Sequence, residues 1–415
     1  MNTPVIEFWP LAIVAVLTVA AFGALWLFRR AALRETGRNP ERMARAIAAA
    51  RQAAARKAPD RRPLAWARAQ MQLVMLLAES GGRIHNRSQL AEARTIVSDV
   101  IPVLRDRGLT PELATALYYR ARAEWGIGMF DPGCADLEQA VATFRELLAL
   151  RPWPRHLLRA VVVSLPAVIL VDIGERRDDP AAMAEGLALA REAAGLARKR
   201  VPVECCIAWR NLCHCLAVLG RRDGDEDLLE EAVAFGRRAC EAIKEKRYPG
   251  QWAASQASLG HALGALGELR GDAAMLEEAL APLQAAQQTA GAESLRAGRM
   301  MLSPTLGGVR LALGRLASDP AILDAAAADL RAALAAFEAA GLSFARAETA
   351  RMLGDALAVQ GDRDGARTQY RMALAVFRQA AASRQIGETE AALARLDGVD
   401  NESAGATHTP VYQVR

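Results

Sequence analysis

"VLGRRDGDEDLLEEAV" at residues 218–233 and "ALGELRGDAAMLEEAL" at 265–280 write one pattern twice, 47 residues apart. The beat continues on both sides. Glycines stand at 81, 128, 174, 220, 267, 314 and 361, always 46 or 47 residues from the next, a regularity that marks a tandem repeat. Eight residues before the glycine come Leu73, Leu212, Leu259, Leu306 and Leu353, and four before it Leu77, Leu170, Leu216, Leu263 and Leu357. Nine after it stand Leu90, Leu137, Met183, Leu229, Leu276 and Leu323, and twelve after it Ala93, Ala140, Ala232, Ala279 and Ala326.

Apolar residues at intervals of three and four define one helix before the glycine and a second after it. The glycine reads as the stop, because a residue without Cβ takes the left-handed conformation at a helix end without strain. Pro63, Pro111, Pro154, Pro202 and Pro249 fall 17 to 20 residues before their glycines, where a first-turn proline loses no helical hydrogen bond. The chain is thus all-α, a composition rich in Ala and Leu with 5% aromatics.

These marks resemble the tetratricopeptide repeat in its long bacterial form of about 47 residues. The resemblance rests on the pairs Leu259-Gly260, Leu306-Gly307 and Leu353-Gly354 and on the Leu-Glu-Glu-Ala entries at 229–232 and 276–279. Gly361, Ala366, Tyr370 and Ala373 follow the ordinary short spacing. Arg120, Glu124, Pro166 and Arg310 depart from it where an apolar residue belongs, which predicts local distortion. The resemblance implies a right-handed α-solenoid of about seven hairpins over residues 63–383, with 384–397 as a capping helix and a disordered tail at 398–415.

The first 62 residues differ in kind. After a short segment, residues 1–7, the run from Phe8 to Phe28 carries no charge, and its 21 residues reach about 32 Å as a helix. A single transmembrane helix follows, with Trp9 and Trp26 near its ends. A cleaved signal would need a basic segment ahead of the apolar run, and only Glu7 is charged there. Residues 29–62 hold eleven Lys and Arg against three acids, so the array is expected in the cytoplasm, with the N-terminus outside and the chain in the cell inner membrane. Setting that segment aside leaves 41 basic and 43 acidic residues from 63 onward, which argues against nucleic acid as a partner. Within it, Met43 and Ala46 fall where a second repeat helix would place its Leu and Ala, so 40–57 reads as a half-repeat, with a lipid-lying helix as the rival.

On the first helix of each repeat, the face opposite the apolar one carries Tyr118, Arg122 and Trp125, then Asp172, then Arg210 and His214, then His261. By resemblance, this face lines a concave groove that holds a partner. Burial of the same face by superhelical curvature is the alternative. No catalytic motif appears: five scattered histidines, no P-loop, no metalloprotease motif and no nucleophile elbow. "CCIAWRNLCHC" at 205–215 sits on one helix, where buried cysteine acts as a small hydrophobe, and neither metal nor cofactor is expected. Without CxxC or regular spacing, the six cysteines point to a reducing compartment. The expectation is a non-enzymatic, membrane-anchored scaffold for a protein or peptide partner. A regulatory or assembly subunit sensing a small ligand in the groove is the alternative, and homo-oligomerisation stays open.

Overall fold

The structure is a computed structural model that describes residues 40–57, 59–150, 157–289 and 296–398. The predicted transmembrane run at 8–28, Pro154 and the tail beyond 398 lie outside these residues. Sixteen helices and no strand occur among the described residues. A lone helix, α1 (Pro40–Ala55), leads into seven antiparallel hairpins. They are α2 (Pro63–Ile84) with α3 (Arg87–Asp106), α4 (Thr110–Gly128) with α5 (Ala135–Ala149), α6 (Arg159–Arg177) with α7 (Pro180–Leu196), and α8 (Pro202–Asp223) with α9 (Glu226–Glu241). Then come α10 (Pro249–Arg270) with α11 (Ala273–Thr289), α12 (Arg296–Ala317) with α13 (Pro320–Ala340), and α14 (Ser343–Val359) with α15 (Arg363–Ala380). A last helix, α16 (Ser383–Asp397), packs on α15. Met43, Ile47, Ala50 and Ala54 of α1 are buried as that helix packs on α2.

The repeated glycine has a different task from the one its spacing suggested. Gly81, Gly174, Gly220, Gly267 and Gly314 lie inside their helices, which run on for about another turn. A Cβ at Gly81 would come within 2.9 Å of Leu90, at Gly128 within 2.6 Å of Leu137, at Gly220 within 2.8 Å of Leu229 and at Gly314 within 2.8 Å of Leu323. The glycine is the notch that receives the leucine nine residues later. That leucine is buried in every case, and such a side chain contributes about 1.5–3 kcal/mol.

The left-handed residue sits four positions further on and is His85, Asp178, Gly224, Gly271 or Ser318. The next residue then turns its N–H back to the repeated glycine: Asn86 to Gly81, Asp179 to Gly174, Asp225 to Gly220 and Asp272 to Gly267, each at 2.9 Å, and Asp319 to Gly314 at 3.1 Å. Its side chain caps the second helix, as where Asp225 accepts from the Leu228 N–H at 3.0 Å. Only Gly361 is a true left-handed stop among the seven.

The expected distortions are absent. Helices α4, α6 and α12 run through Arg120, Pro166 and Arg310 unbroken, and in α4 and α12 the polar intruders are paired. Glu124, buried, accepts from Arg120 at 2.8 Å and from Thr143 at 2.7 Å, and Arg310 meets Asp329. Burial alone pushes the Glu124 carboxyl above its usual range, against the pull of those donors.

Successive hairpins are tied along one side by Arg–acid pairs about 41 residues apart: Arg51–Glu92, Arg94–Asp136, Arg145–Glu185, Arg191–Glu231 and Arg237–Glu278. The array also winds back on itself. Leu90, Ile127 and Phe130 join Ala333, Phe337 and Leu342 in one apolar cluster, and Ser343 donates to the Phe130 carbonyl at 3.1 Å. Further along the same seam, the Arg176 guanidinium lies 4.6 Å from the Phe344 ring centre, and Glu175 takes Arg384 at 2.7 Å. The first three hairpins thus meet the sixth, the seventh and the last helix edge to edge.

Candidate inner face

Helix α8 shows how the inner face arises. It packs on α9 and α7 and against its neighbours α6 and α10, so one stripe of the helix is left uncovered by these four. By length and composition α8 could cross a membrane, yet most of it is buried inside the array. The stripe contains Arg210 and His214, which are half-buried. Tyr118, Arg122 and Trp125 occupy the equivalent stripe of α4, Asp172 that of α6 and His261 that of α10, and all five are half-buried.

The side chains do not form one cluster. On α4 the Tyr118 and Tyr119 rings meet edge to face at 5.2 Å, and Arg122 lies 5.6 Å from the first and 5.9 Å from the second. Arg122 also pairs with Glu79 of α2 at 2.5 Å. Burial works against its charge, but Glu79 and the two tyrosines more than offset that. Asp172 grips Arg176 one turn on through both oxygens, at 3.1 and 3.0 Å.

His214 and His261 come from adjacent hairpins, with ring centres 6.3 Å apart and planes tilted by 35°. Burial lowers both: His261 falls to about 3, helped by the Arg221 charge and by His214. Both are therefore neutral at pH 7. No group of three or more His, Cys, Asp or Glu able to hold a metal occurs among the described residues. The six cysteines are unpaired, and burial raises Cys213 and Cys215, so neither is a thiolate near neutrality.

Sequence reasoning missed an ionic seam beside this face. Glu175 accepts from Arg384 at 2.7 Å and Arg221 at 3.2 Å, while its carbonyl takes Gln385 at 3.0 Å. Arg176 adds the Asp131 carbonyl at 3.2 Å. Burial and the charges of Glu175 and Asp172 push the Glu348 carboxyl up to about 7, although Arg176 and Arg221 act the other way. The contacts join residues about 210 positions apart, so no repeat period could have shown them.

Clefts of about 340 and 240 Å³ lie at equivalent junctions, one lined by Met183, Leu187 and Arg222 and the other by Val233, Leu266 and Arg270. None of the seven predicted side chains lines either.

No protein-family model matches the chain, and no curated protein matches it. Among solved structures it is similar to a circular tandem repeat protein with novel repeat topology and enhanced subunit contact surfaces. The two are 17% identical, with 93% of this chain and 95% of that one covered at a TM-score of 0.28, and no residue role is carried across. The described residues themselves form an all-helical tandem array of hairpins.

Proposed function

We propose that the chain is a tetratricopeptide-type scaffold, tethered by residues 8–28 to the inner membrane, that holds a protein or peptide partner against its inner face in the cytoplasm. One observation carries the reading. Tyr118, Arg122, Trp125, Arg210, His214 and His261 are all half-buried at equivalent positions of their helices, where aromatic and Arg side chains keep part of their surface open to a ligand. Such residues supply most of the energy of interfaces because they bury large area or donate directional hydrogen bonds. The tether adds effective concentration for a membrane-bound partner without adding contacts.

Crosslinking with mass spectrometry in intact cells tests it. Tyr118→Leu with Trp125→Leu removes the aromatic surface while keeping apolar bulk against the core. Adducts to the partner should fall by tens of fold, about 2 kcal/mol, with the thermal melt little changed. Unchanged adducts would place the working surface elsewhere. A reporter active only in the cytoplasm, fused after residue 397, should work; silence there would reverse the topology.

A further inference from the structure

The inner-face arginines are not equivalent. Arg122, Arg176, Arg221, Arg310, Arg351 and Arg384 each hold a carboxylate. Arg210 forms no ion pair among the described residues. Its Nη1 donates to Gln251 Oε1 of α10 at 2.7 Å, and its Nε and Nη2 share Asn211 Oδ1 at 3.4 and 3.3 Å. Both acceptors are neutral amides. Asn211 is itself fixed, since its Nδ2 donates to Ser164 Oγ of α6 at 2.9 Å. Burial destabilises the Arg210 cation, with no acid beside it to compensate.

A guanidinium carries five N–H donors, and these bonds use three. One N–H on each terminal nitrogen is left over, both in the guanidinium plane. Two parallel donors match the two oxygens of a carboxylate, and they match a spherical ion poorly. Charge points the same way. Among the described residues the Arg210 guanidinium meets only neutral acceptors, so an incoming carboxylate supplies the one negative charge it lacks. A phosphate dianion brings one negative charge more than this single cation balances. His214, one turn on and within reach of the Arg210 charge, brings no charge of its own and reports on the site through its ring.

We propose that Arg210, oriented by Asn211 and Gln251, is a carboxylate-binding site on the inner face that anchors the partner through a side-chain or terminal carboxylate. This rests on the scaffold reading for its biological meaning, but the site can be tested without the partner. The probe is sodium acetate, titrated into the full chain in lipid nanodiscs, with histidine-ring and arginine Nε resonances recorded by NMR. Sodium phosphate and sodium chloride at matched ionic strength are the controls.

Acetate should shift the His214 and Arg210 resonances along a saturating curve, at concentrations about tenfold or more below those chloride needs. Arg210→Gln should weaken the acetate response at least about tenfold. Gln251→Glu supplies a carboxylate from the neighbouring helix where Nη1 already donates. It should abolish the response while holding the melting temperature at or above wild type, which separates loss of the site from loss of the fold. A response equal for acetate and chloride, tighter for phosphate, or retained in Gln251→Glu would overturn the assignment. Saturable acetate binding with crosslinks unaffected by the Tyr118/Trp125 replacement would keep the site and place the partner's surface away from α4, while lost crosslinks without acetate binding would keep the scaffold reading and sink the site.

Discussion

The front and back of the array hold together by different means. From α1 to α11 every step between alternate helices carries an Arg–acid strut between neighbours, beginning with Arg51–Glu92 and ending with Arg237–Glu278. From α11 to α13 and from α13 to α15 no such strut occurs among the described residues. Instead the back half clasps the front through Phe337, Leu342, Phe344 and Arg384. A linear repeat protein is stabilised by nearest neighbours alone. Here a non-local clasp is added.

The largest expected effect comes from breaking that clasp. Arg176 is 3% exposed and binds Asp172, the Asp131 carbonyl and the Phe344 ring together. Arg176→Ala leaves Asp172 without its partner and removes the stack, at a cost of about 3 kcal/mol or more. Hydrogen exchange locates the damage. Faster exchange should appear in α14 and α16 and at the end of α4, with α8 to α11 unchanged. Uniform loosening of all seven hairpins would mean that the clasp is not a separate contribution.

The two halves also differ in what the sequence discloses. The register, the helix pairs and the half-buried stripe with Tyr118, Trp125 and Arg210 follow from spacing, because each depends on a residue's place in its own repeat. Spacing alone does not give the task of the repeated glycine, since a missing Cβ serves a left-handed turn and a close packing notch equally well. Asn86, Asp179, Asp225, Asp272 and Asp319, each five residues after a glycine, are the signal that separates the two, because a capping residue there places the turn beyond the glycine. Arg176, Glu348 and Arg384 carry no period at all. Their meeting depends on rotations accumulated over four hairpins, which a single repeat does not encode.

An intermediate effect comes from pH, with opposite signs in the two regions. Glu348 at the clasp has its carboxyl raised to about 7 from the ordinary 4.5, so the native state binds more protons than the unfolded chain between those values. Its contribution is complete below about pH 4.5 and is lost as pH rises through 7, costing about 1–3 kcal/mol. His261 in the strutted region is lowered to about 3 from 6.5, so its contribution is present above pH 6.5 and lost as pH falls toward 3. Between pH 4.5 and 6.5 the two slopes oppose each other. Denaturant midpoints should therefore change little there in the wild type. Glu348→Gln should expose a loss of stability toward acid, and His261→Gln a loss toward base. Parallel pH profiles for the two variants would show that clasp and array titrate as one unit.

The smallest effect belongs to the struts, and its size tests what they are for. Arg191 and Glu231 are 51% and 35% exposed, and Arg237 and Glu278 are 55% and 52% exposed. Water screens such pairs, and holding two long side chains in place costs entropy, so each is worth about 0.2–1 kcal/mol. Arg191→Ala and Arg237→Ala should each lower stability by no more than that, and their effects should add, because the two struts lie at separate junctions. Raising the salt to 1 M should erase the difference from wild type, while leaving the cost of Arg176→Ala largely intact because that charge is buried. If a single strut cost as much as Arg176, hairpin angles would be transmitted through the outer ladder. A small, additive and salt-sensitive cost instead assigns the struts to the register between hairpins and leaves curvature to the glycine notches and the clasp.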